Sequence, residues 1–324
     1  MKNIAVVMGG YSAEKLVSMK SGSVVIANID SLKYKTFKIV IDQNGWFMIE
    51  GQKKYIVNKK NFSVKYKGQT LLFDGVFMAI HGIPGENGEL QEYFDKLNIP
   101  YNTSGKKAAE LSFDKYKCNN FLKDKGILCA NSISLNKSES FDIPEIIKKV
   151  GIPCFVKPNS NGSSFGISKV NKKDELVNAI EKAFHFDDKI IIESFLNGVE
   201  VTCGIHNFHK DLTTLPITEI VSENDFFDYE AKYEGKSKEI TPARLNSQTT
   251  EKVYLLTKKI YRLLNLNGIA RIDFIIVNGE PYIIEANTVP GLSEESIIPQ
   301  QANAAGINLK SLFYQSIDHI FDLS

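Results

Sequence analysis

The sequence predicts a mixed α/β protein that opens with a doubly wound unit and closes on antiparallel strands. Three observations carry this. An apolar strand at Asn3–Met8 runs through Gly9-Gly10 into a helical spacing, the strand–turn–helix order that begins a doubly wound unit. A second apolar strand, Phe73–Ile80, ends in the glycine-rich loop His81-Gly82-Ile83-Pro84-Gly85-Glu86-Asn87-Gly88. Near the C-terminus the apolar runs Ile269–Val277 and Pro281–Ala286 flank Asn278-Gly279, a strong short-range hairpin signal.

Taken in order, Ser12 is the candidate N-cap of the first helix, with Val17, Met19, Val24 and Val25 on its apolar side. Glu14 falls in that helix's first turn, where a carboxylate serves the helix or a ligand equally well. Short strands follow at Phe37–Ile41, Trp46–Ile49 and Tyr55–Val57, with solvated lysines between them. His81 sits at the carboxyl end of its strand, where ligands collect, and a helix over Leu90–Leu97 leads to a junction at Thr103-Ser104-Gly105. Lys106–Lys125 has one continuous helical pattern, in which Asp114-Lys115 taken alone is a solvated pair. Ile127–Leu135 is extended, Ile143–Val150 is a short amphipathic helix, and Lys157 ends an apolar strand before Pro158. The Ser/Gly/Asn stretch from Asn159 to Gly166 is either a flexible hairpin loop or a cover for phosphates, and the lysine beside it favours phosphate. A helix at Asp174–Phe184 and strands at Lys189–Ile192, Val201–His206 and Leu215–Val221 lead to a polar, aromatic loop, Asp225–Lys238, of lid or binding-loop length. Thr249–Leu264 and Leu309–Phe321 are amphipathic helices.

At 324 residues the chain suggests two or three domains, taking roughly 100–200 residues each. A net charge of +1 gives no electrostatic case for nucleic acid or an anionic membrane, and neither a signal peptide nor a membrane span is expected. The dinucleotide fingerprint G-x-G-x-x-G and the Walker loop are both missing. Cys118, Cys129, Cys154 and Cys203 have no paired spacing and are expected as free thiols in a reducing compartment. His185, His206, His209 and His319 have no ligand-like spacing.

Charge inside the terminal hairpin is the strongest chemical signal. Asp273 and Glu285 flank the turn at near-matching offsets, so they can face each other across paired strands, and Glu285 and Asn287 share a face. Surface charge is the simplest explanation. However, Ile275-Ile276 and Ile283-Ile284 suggest burial on both faces, where like carboxylates repel unless a cation joins them. Two carboxylates and an amide oxygen form a hard, oxygen-only set suited to Mg²⁺.

In chain order, Gly9-Gly10-x-Ser12-x-Glu14, His81-Gly82-x-x-Gly85-Glu86-x-Gly88, Val156-Lys157-Pro158, Gly162-Ser163-Ser164-x-Gly166, Tyr229-Glu230-Ala231-Lys232-Tyr233, Arg271-x-Asp273 and Glu285-Ala286-Asn287-Thr288-x-Pro290-Gly291 resemble the D-alanine–D-alanine ligases of the ATP-grasp superfamily. The resemblance spans essentially the whole chain. It implies three parts: a Rossmann-like domain over 1–103 and two α+β subdomains, 104–197 and 198–324, that clamp ATP. It also implies an activity, ATP-dependent joining of two D-alanines through a D-alanyl phosphate, for peptidoglycan and cell-wall synthesis. By this resemblance Lys115 and Lys157 hold the ATP phosphates under Ser163 and Ser164, with Lys232 close by. Glu193, Phe195 and Leu196 meet the adenine and Glu200 the ribose. Asp273, Glu285 and Asn287 hold two Mg²⁺ (or Mn²⁺), with Glu285 bridging. Glu14 pairs with the ammonium of the first D-alanine, and His81 lies near its carboxylate. Arg271 and the Gly291 N–H stabilise the oxyanion, and Ser296 and Lys232 take the second carboxylate. Tyr233 links Ser163 and Glu14, and favours a dipeptide over D-alanyl-D-lactate. The resemblance names no base for the second amine. A bacterial cytoplasmic homodimer without nucleic-acid or membrane partners is expected. The alternatives are another ATP-grasp carboxylate–amine ligase, a D-alanyl-D-lactate-forming relative, or a non-catalytic ATP-binding regulator. Val289, Leu292, Ser293 and Ser194 depart from common family residues and bear on details of fit.

Overall fold

Strands buried on both faces need helices above and below them, and this chain supplies both around three separate sheets. The computed structural model describes residues 1–29, 32–162, 165–208, 211–222 and 237–322. The first sheet comprises β1 (Lys2–Gly9), β2 (Tyr34–Asp42), β3 (Gly45–Glu50), β4 (Lys53–Asn58), β5 (Ser63–Tyr66), β6 (Gln69–Leu71) and β7 (Gly75–Met78), in the order β6-β5-β4-β3-β2-β1-β7. Only β2, β1 and β7 run parallel, and the rest is an antiparallel meander. The doubly wound expectation therefore holds for the three strands whose carboxyl ends carry Gly9-Gly10 and His81. β5 and β6 were not legible, being short and strongly polar.

Helix α1 (Lys15–Asn28) covers one face and α2 (Glu89–Leu97) belongs to the other. The expected apolar side of α1 is corrected. Its buried residues are Ser18, Ser21, Gly22 and Val25, because the helix lies very close to β1. A Cβ on Gly22 would fall 2.5 Å from Met8 Cε, and Ser18 Oγ accepts from Gly9 N–H (2.8 Å) and donates to the Ala79 carbonyl (2.7 Å). Ser12 is not the cap residue; Glu14 occupies that position, and Ser12 Oγ accepts its N–H at 3.3 Å.

The continuous helix expected over Lys106–Lys125 is two helices, α3 (Lys106–Phe113) and α4 (Lys115–Asp124). Asp114 breaks it. Its backbone is extended and its carboxylate accepts the Lys117 N–H at 2.9 Å, the N-cap interaction that starts a new helix. The second sheet holds β8 (Ser132–Asn136), β9 (Cys154–Pro158), β10 (Ser168–Val170) and β11 (Lys189–Ser194) in the antiparallel order β10-β9-β11-β8. It packs with α5 (Ile143–Val150) and α6 (Leu176–Ala183) through Ile146, Val156, Ile180 and Ile192.

The third sheet has the order β15-β14-β12-β16-β17, with β13 paired to β12. Its strands are β12 (Val199–His206), β13 (Thr213–Thr214), β14 (Thr218–Ser222), β15 (Ser237–Ile240), β16 (Ala270–Val277) and β17 (Glu280–Asn287). The strand expected over Leu215–Val221 is interrupted, so only its second half is strand. Of the loop expected over Asp225–Lys238, residues 225–236 lie outside the described residues, and 237–238 begin β15. Helix α7 (Ser247–Leu263) packs Val253 and Ile260 against Ile272 and Phe274 of this sheet. Helix α8 (Ile297–Ala304) was not predicted. Gln301 fastens it to the sheet, accepting from Gly204 N–H (2.9 Å) and donating to the Thr202 carbonyl (3.0 Å).

The last helix, α9 (Leu309–Asp322), returns to the first sheet, where Phe313, Ile317 and Ile320 share a core with Ile4, Val6 and Phe77. Phe313 is fully buried, with its ring edge-on to Phe77 at 6.0 Å between centroids. Phe313→Ala is expected to lower unfolding free energy by about 3–5 kcal/mol in denaturant titration. A loss well under 1 kcal/mol would show that α9 is not anchored there.

Candidate active site

The site begins with the terminal hairpin. Asn278 and Gly279 both have positive φ, 52° and 80°, the type I′ requirement that suits the right-handed twist of the strands. From this turn the pairing runs regularly to Phe274↔Ile283 and then shifts, so that Asp273 faces Glu285 and Ile284 has no partner. Asp273 lies one residue nearer the turn than Glu285, and the bulge at Ile284 takes up that residue. The two carboxylates consequently stand side by side.

Such a pair needs compensation. Arg271 donates Nε to Asp273 Oδ1 (2.8 Å) and a terminal N–H to Oδ2 (2.7 Å), and Asn287 Nδ2 donates to Oδ2 at 3.0 Å. The Thr202 hydroxyl adds a further donor. Lys115 Nζ lies 3.6 Å from Glu285 Oε2. The donor chemistry fits a hard divalent cation: oxygen ligands on paired strands, with positive groups gathered around them. Among the described residues no group of three or more His, Cys, Asp or Glu side chains forms a metal cage. A cation here would take Asn287 and ligand oxygens to complete its shell, the habit of Mg²⁺.

Lys115 reaches this point because of the helix break. As the first residue of α4 it donates its N–H to the Asn159 carbonyl (3.3 Å) and its ammonium to the Asn161 carbonyl (2.8 Å). Lys157 on β9 is buried in an ion pair with Glu193 of β11, whose other oxygen accepts from Asn119 at 2.8 Å. A buried lysine without such a partner would cost several kcal/mol.

Two cavities open from this centre. One, of about 320 Å³, is lined by Lys157, Glu193, Phe195, Leu196, Glu200 and Asp273, with Phe155, Ile167, Ile275 and Ile283 as apolar walls. The other, of about 410 Å³, is lined by Glu14, His81, Arg271, Asn287, Gly291 and Ser296. Lys115, Asn161, Gly162 and Glu285 line both. Every site residue expected from sequence and lying within the described residues is therefore at one cavity or at their junction. Ser163, Ser164, Lys232 and Tyr233 lie outside the described residues.

Glycines set the close approaches. A Cβ on Gly162 would fall 2.5 Å from Glu14 Oε2, and one on Gly291 would fall 2.7 Å from Ser296 Oγ. His81 is buried and uses both ring nitrogens: Nδ1 donates to the Val289 carbonyl (2.7 Å) and Nε2 accepts from the Ser21 hydroxyl (3.0 Å). Burial lowers its basicity, so the ring is a neutral link between the first sheet and the loop after β17.

Glu86 belongs to the His81–Gly88 loop, and the family resemblance implies no role for it. It accepts from Gly82 N–H (2.7 Å) and Val289 N–H (3.3 Å) and lines the larger cavity. Burial, with the Glu14 carboxylate next, pushes its carboxyl up to about 8. A glutamate in a glycine-rich loop at a strand's carboxyl end was the available signal. Glu239 lines the same cavity and carried no sequence signal, because β15 reaches the site only through sheet pairing.

Two family models match the chain: "D-ala D-ala ligase N-terminus" over residues 3–104 and "D-ala D-ala ligase C-terminus" over 121–318. A curated D-alanine–D-alanine ligase of Flavobacterium johnsoniae is 50% identical over 319 residues, covering 98% of this chain and 99% of the relative. That of Phocaeicola vulgatus is 43% identical over 323 residues, covering 99% of both. Among solved structures, the VanG D-Ala:D-Ser ligase of Enterococcus faecalis superposes with TM-score 0.86 at 30% identity, covering 99% of both chains. The D-alanine–D-alanine ligase of Bacillus anthracis complexed with ATP superposes with TM-score 0.81 at 30% identity, covering 100% of this chain and 98% of that one.

The Glu86 environment has a consequence for stability. A carboxyl raised from 4.5 to about 8 in the fold contributes stability that is complete below its unfolded value and lost as pH rises through 8. The melting temperature of the parent is expected to fall relative to that of Glu86→Gln as pH rises from about 5 to about 8. Parallel melting curves across that range would contradict the assignment.

Proposed function

The chain belongs to the D-alanine–D-alanine ligase family, and on that premise we propose how its residues carry ATP-dependent joining of two D-alanines into the dipeptide used in peptidoglycan synthesis. In the first step a D-alanine carboxylate attacks the γ-phosphorus of ATP, giving D-alanyl phosphate and ADP. In the second the amine of another D-alanine attacks the acyl carbon and phosphate leaves. Both steps need charge held on oxygens whose positions are set in advance. The observation that carries the proposal is the meeting of the two cavities at Lys115 and Glu285, with Asp273 beside them. A nucleotide in one cavity would point its terminal phosphate at an amino acid in the other.

The smaller cavity takes the nucleotide. Its apolar walls hold the base beside Glu193, Phe195 and Leu196; Glu200 receives the ribose, and Lys157 and Lys115 receive the phosphates. Asp273, Glu285 and Asn287 would hold two Mg²⁺ or Mn²⁺. Such ions, when bound, would offset negative charge on the phosphate oxygens. Ser163 and Ser164, with Lys232, are assigned to the phosphates from the family motif.

The larger cavity takes the amino acids. Glu14 binds the first ammonium. His81, locked by Ser21 and Val289, presents its ring beside the first carboxylate. The bidentate hold of Asp273 fixes the plane of Arg271, which with the Gly291 N–H stabilises the oxyanion. Ser296, at the start of α8, receives the second carboxylate together with Lys232, where helix N–H groups favour an anion. Tyr233 is assigned to close the site over Ser163 and Glu14.

Residues 1–103, 104–197 and 198–324 are proposed as the three units, since each range contains one sheet. A cytoplasmic homodimer is proposed. The four cysteines are buried free thiols, which suits a reducing compartment, and no described helix is long and apolar enough to cross a membrane.

Incubation with ATP, Mg²⁺ and D-alanine is expected to yield D-alanyl-D-alanine, ADP and phosphate in equal amounts by mass spectrometry and phosphate assay. Parallel incubations replace the second amino acid with D-serine, D-lactate or L-alanine. A different preferred acceptor, or no product, overturns the dipeptide reading. Glu285→Gln is expected to lower ADP release by about 100-fold or more with an unchanged melting curve. Near-parental turnover removes Glu285 from phosphoryl transfer.

A further inference from the structure

The ligase reading leaves one step without a residue: the incoming amino acid arrives as an ammonium, and an ammonium cannot attack a carbonyl. Among the described residues, the carboxylates lining the larger cavity are Glu14, Glu86, Glu239, Glu285 and Glu295. Glu14 is taken by the first ammonium in the proposed scheme. Glu86 accepts from two backbone N–H groups, Glu285 faces Asp273 and Lys115, and Glu295 is exposed. Glu239 remains.

Its position is built by the fold. Pairing of β14 with β15 puts Glu239 opposite Ile220, which lies opposite Glu200 on β12 and, beyond it, Ile275 on β16. Residues directly opposite in antiparallel strands share a face, so Glu239 shares the sheet face that carries Glu200, Asp273 and Arg271. From above, Gln300 of α8 donates its amide to Glu239 Oε2 and also to the Glu295 carbonyl (2.8 Å). Gln300 lies one helical turn from Ser296, whose carbonyl accepts its N–H at 3.2 Å. Glu239 is thus held by a neutral amide, one turn from the residue proposed for the second carboxylate, and lines the same cavity as Arg271 and Gly291, the proposed oxyanion donors. Burial holds its carboxyl above the ordinary range, and Gln300 and the Arg271 charge oppose this. Among the described residues, the charged groups on its sheet face include Arg271, whose charge acts on it, the Asp273–Glu285 pair, and Glu200 in its own cross-strand row; its β14 neighbour Ile220 is apolar, and α8 offers the Gln300 amide.

Resting on the ligase reading, we propose that Glu239 receives the ammonium of the second amino acid and takes its proton as the general base. One proton passes from the ammonium to Glu239 Oε. The freed lone pair forms the C–N bond at the acyl phosphate carbon. The C–O bond to phosphate breaks and its electron pair leaves with the phosphate, which takes up the nitrogen's second departing proton. Glu239 then returns its proton to solvent.

The test separates the two half-reactions. The parent and Glu239→Gln are incubated with ATP, Mg²⁺ and D-alanine, with and without hydroxylamine. Hydroxylamine is uncharged at neutral pH and captures the acyl phosphate as a hydroxamate without needing a base. In the variant, dipeptide formation is expected to drop about 100-fold while hydroxamate formation persists. The dipeptide deficit should narrow as pH rises and free amine accumulates, and Glu239→Asp should restore part of the dipeptide rate. Dipeptide formation at the parental rate overturns the proposal, as does an equal fall in both products. A parent that makes neither product overturns the ligase reading itself, and this inference with it.

Discussion

The pairing of Asp273 with Glu285 across β16 and β17 is the constraint on which the site depends. Two carboxylates side by side on a largely buried sheet face repel each other, and nothing in a β-hairpin favours that arrangement. The surroundings supply positive charge: Arg271 and the Asn287 amide on Asp273, and Lys115 on Glu285. The bulge at Ile284 makes the pairing possible, since a regular ladder would set Ile284 opposite Asp273 and turn Glu285 to the other face.

This constraint reaches back into the rest of the fold. Lys115 is available because Asp114 ends one helix and caps the next. The loop carrying Gly291 is fixed by contacts from the first sheet: His81 and Glu86 bind the backbone of Val289, and Ser21 Oγ accepts the Leu292 N–H at 3.1 Å. α9 packs on the first sheet, so the chain that starts beneath Glu14 ends beneath it too. The two cavities share a wall contributed by the start of α4, the loop after β9 and strand β17.

Charge is distributed between the cavities according to use. The smaller cavity, proposed for the nucleotide, combines apolar walls with a buried Lys157–Glu193 pair, so a cation is already held in place there. The larger cavity, proposed for the amino acids, is rich in carboxylates, which suits zwitterions with ammonium groups. Those carboxylates differ in their holders: backbone N–H groups on Glu86, a neutral amide on Glu239, a lysine on Glu285. Different holders give groups of one chemical type different affinities for a proton, which lets neighbouring glutamates do different work.

Local chemistry was legible along the chain. The Asn-Gly turn, the glycine loops at the ends of β1 and β7, the lysine before Pro158 and the Asp273/Glu285/Asn287 set were identifiable because each rests on spacing and residue type within a short segment. The ordered motifs pointed to the family for the same reason. The break at Asp114, the polar underside of α1 and helix α8 were not legible, because contacts between distant segments outweighed local pattern there, and β5 and β6 were not because they are so short. Glu86 and Glu239 belong with them: a glutamate has no sequence mark for being carried into a cavity. The sequence by itself determined which lysines, carboxylates and amides are available for the proposed binding of phosphate, cation and amino acid, since those are properties of side chains. Tertiary structure alone decided which of them meet and what protonation each favours, since distance and burial, set by packing across all three sheets, govern electrostatics.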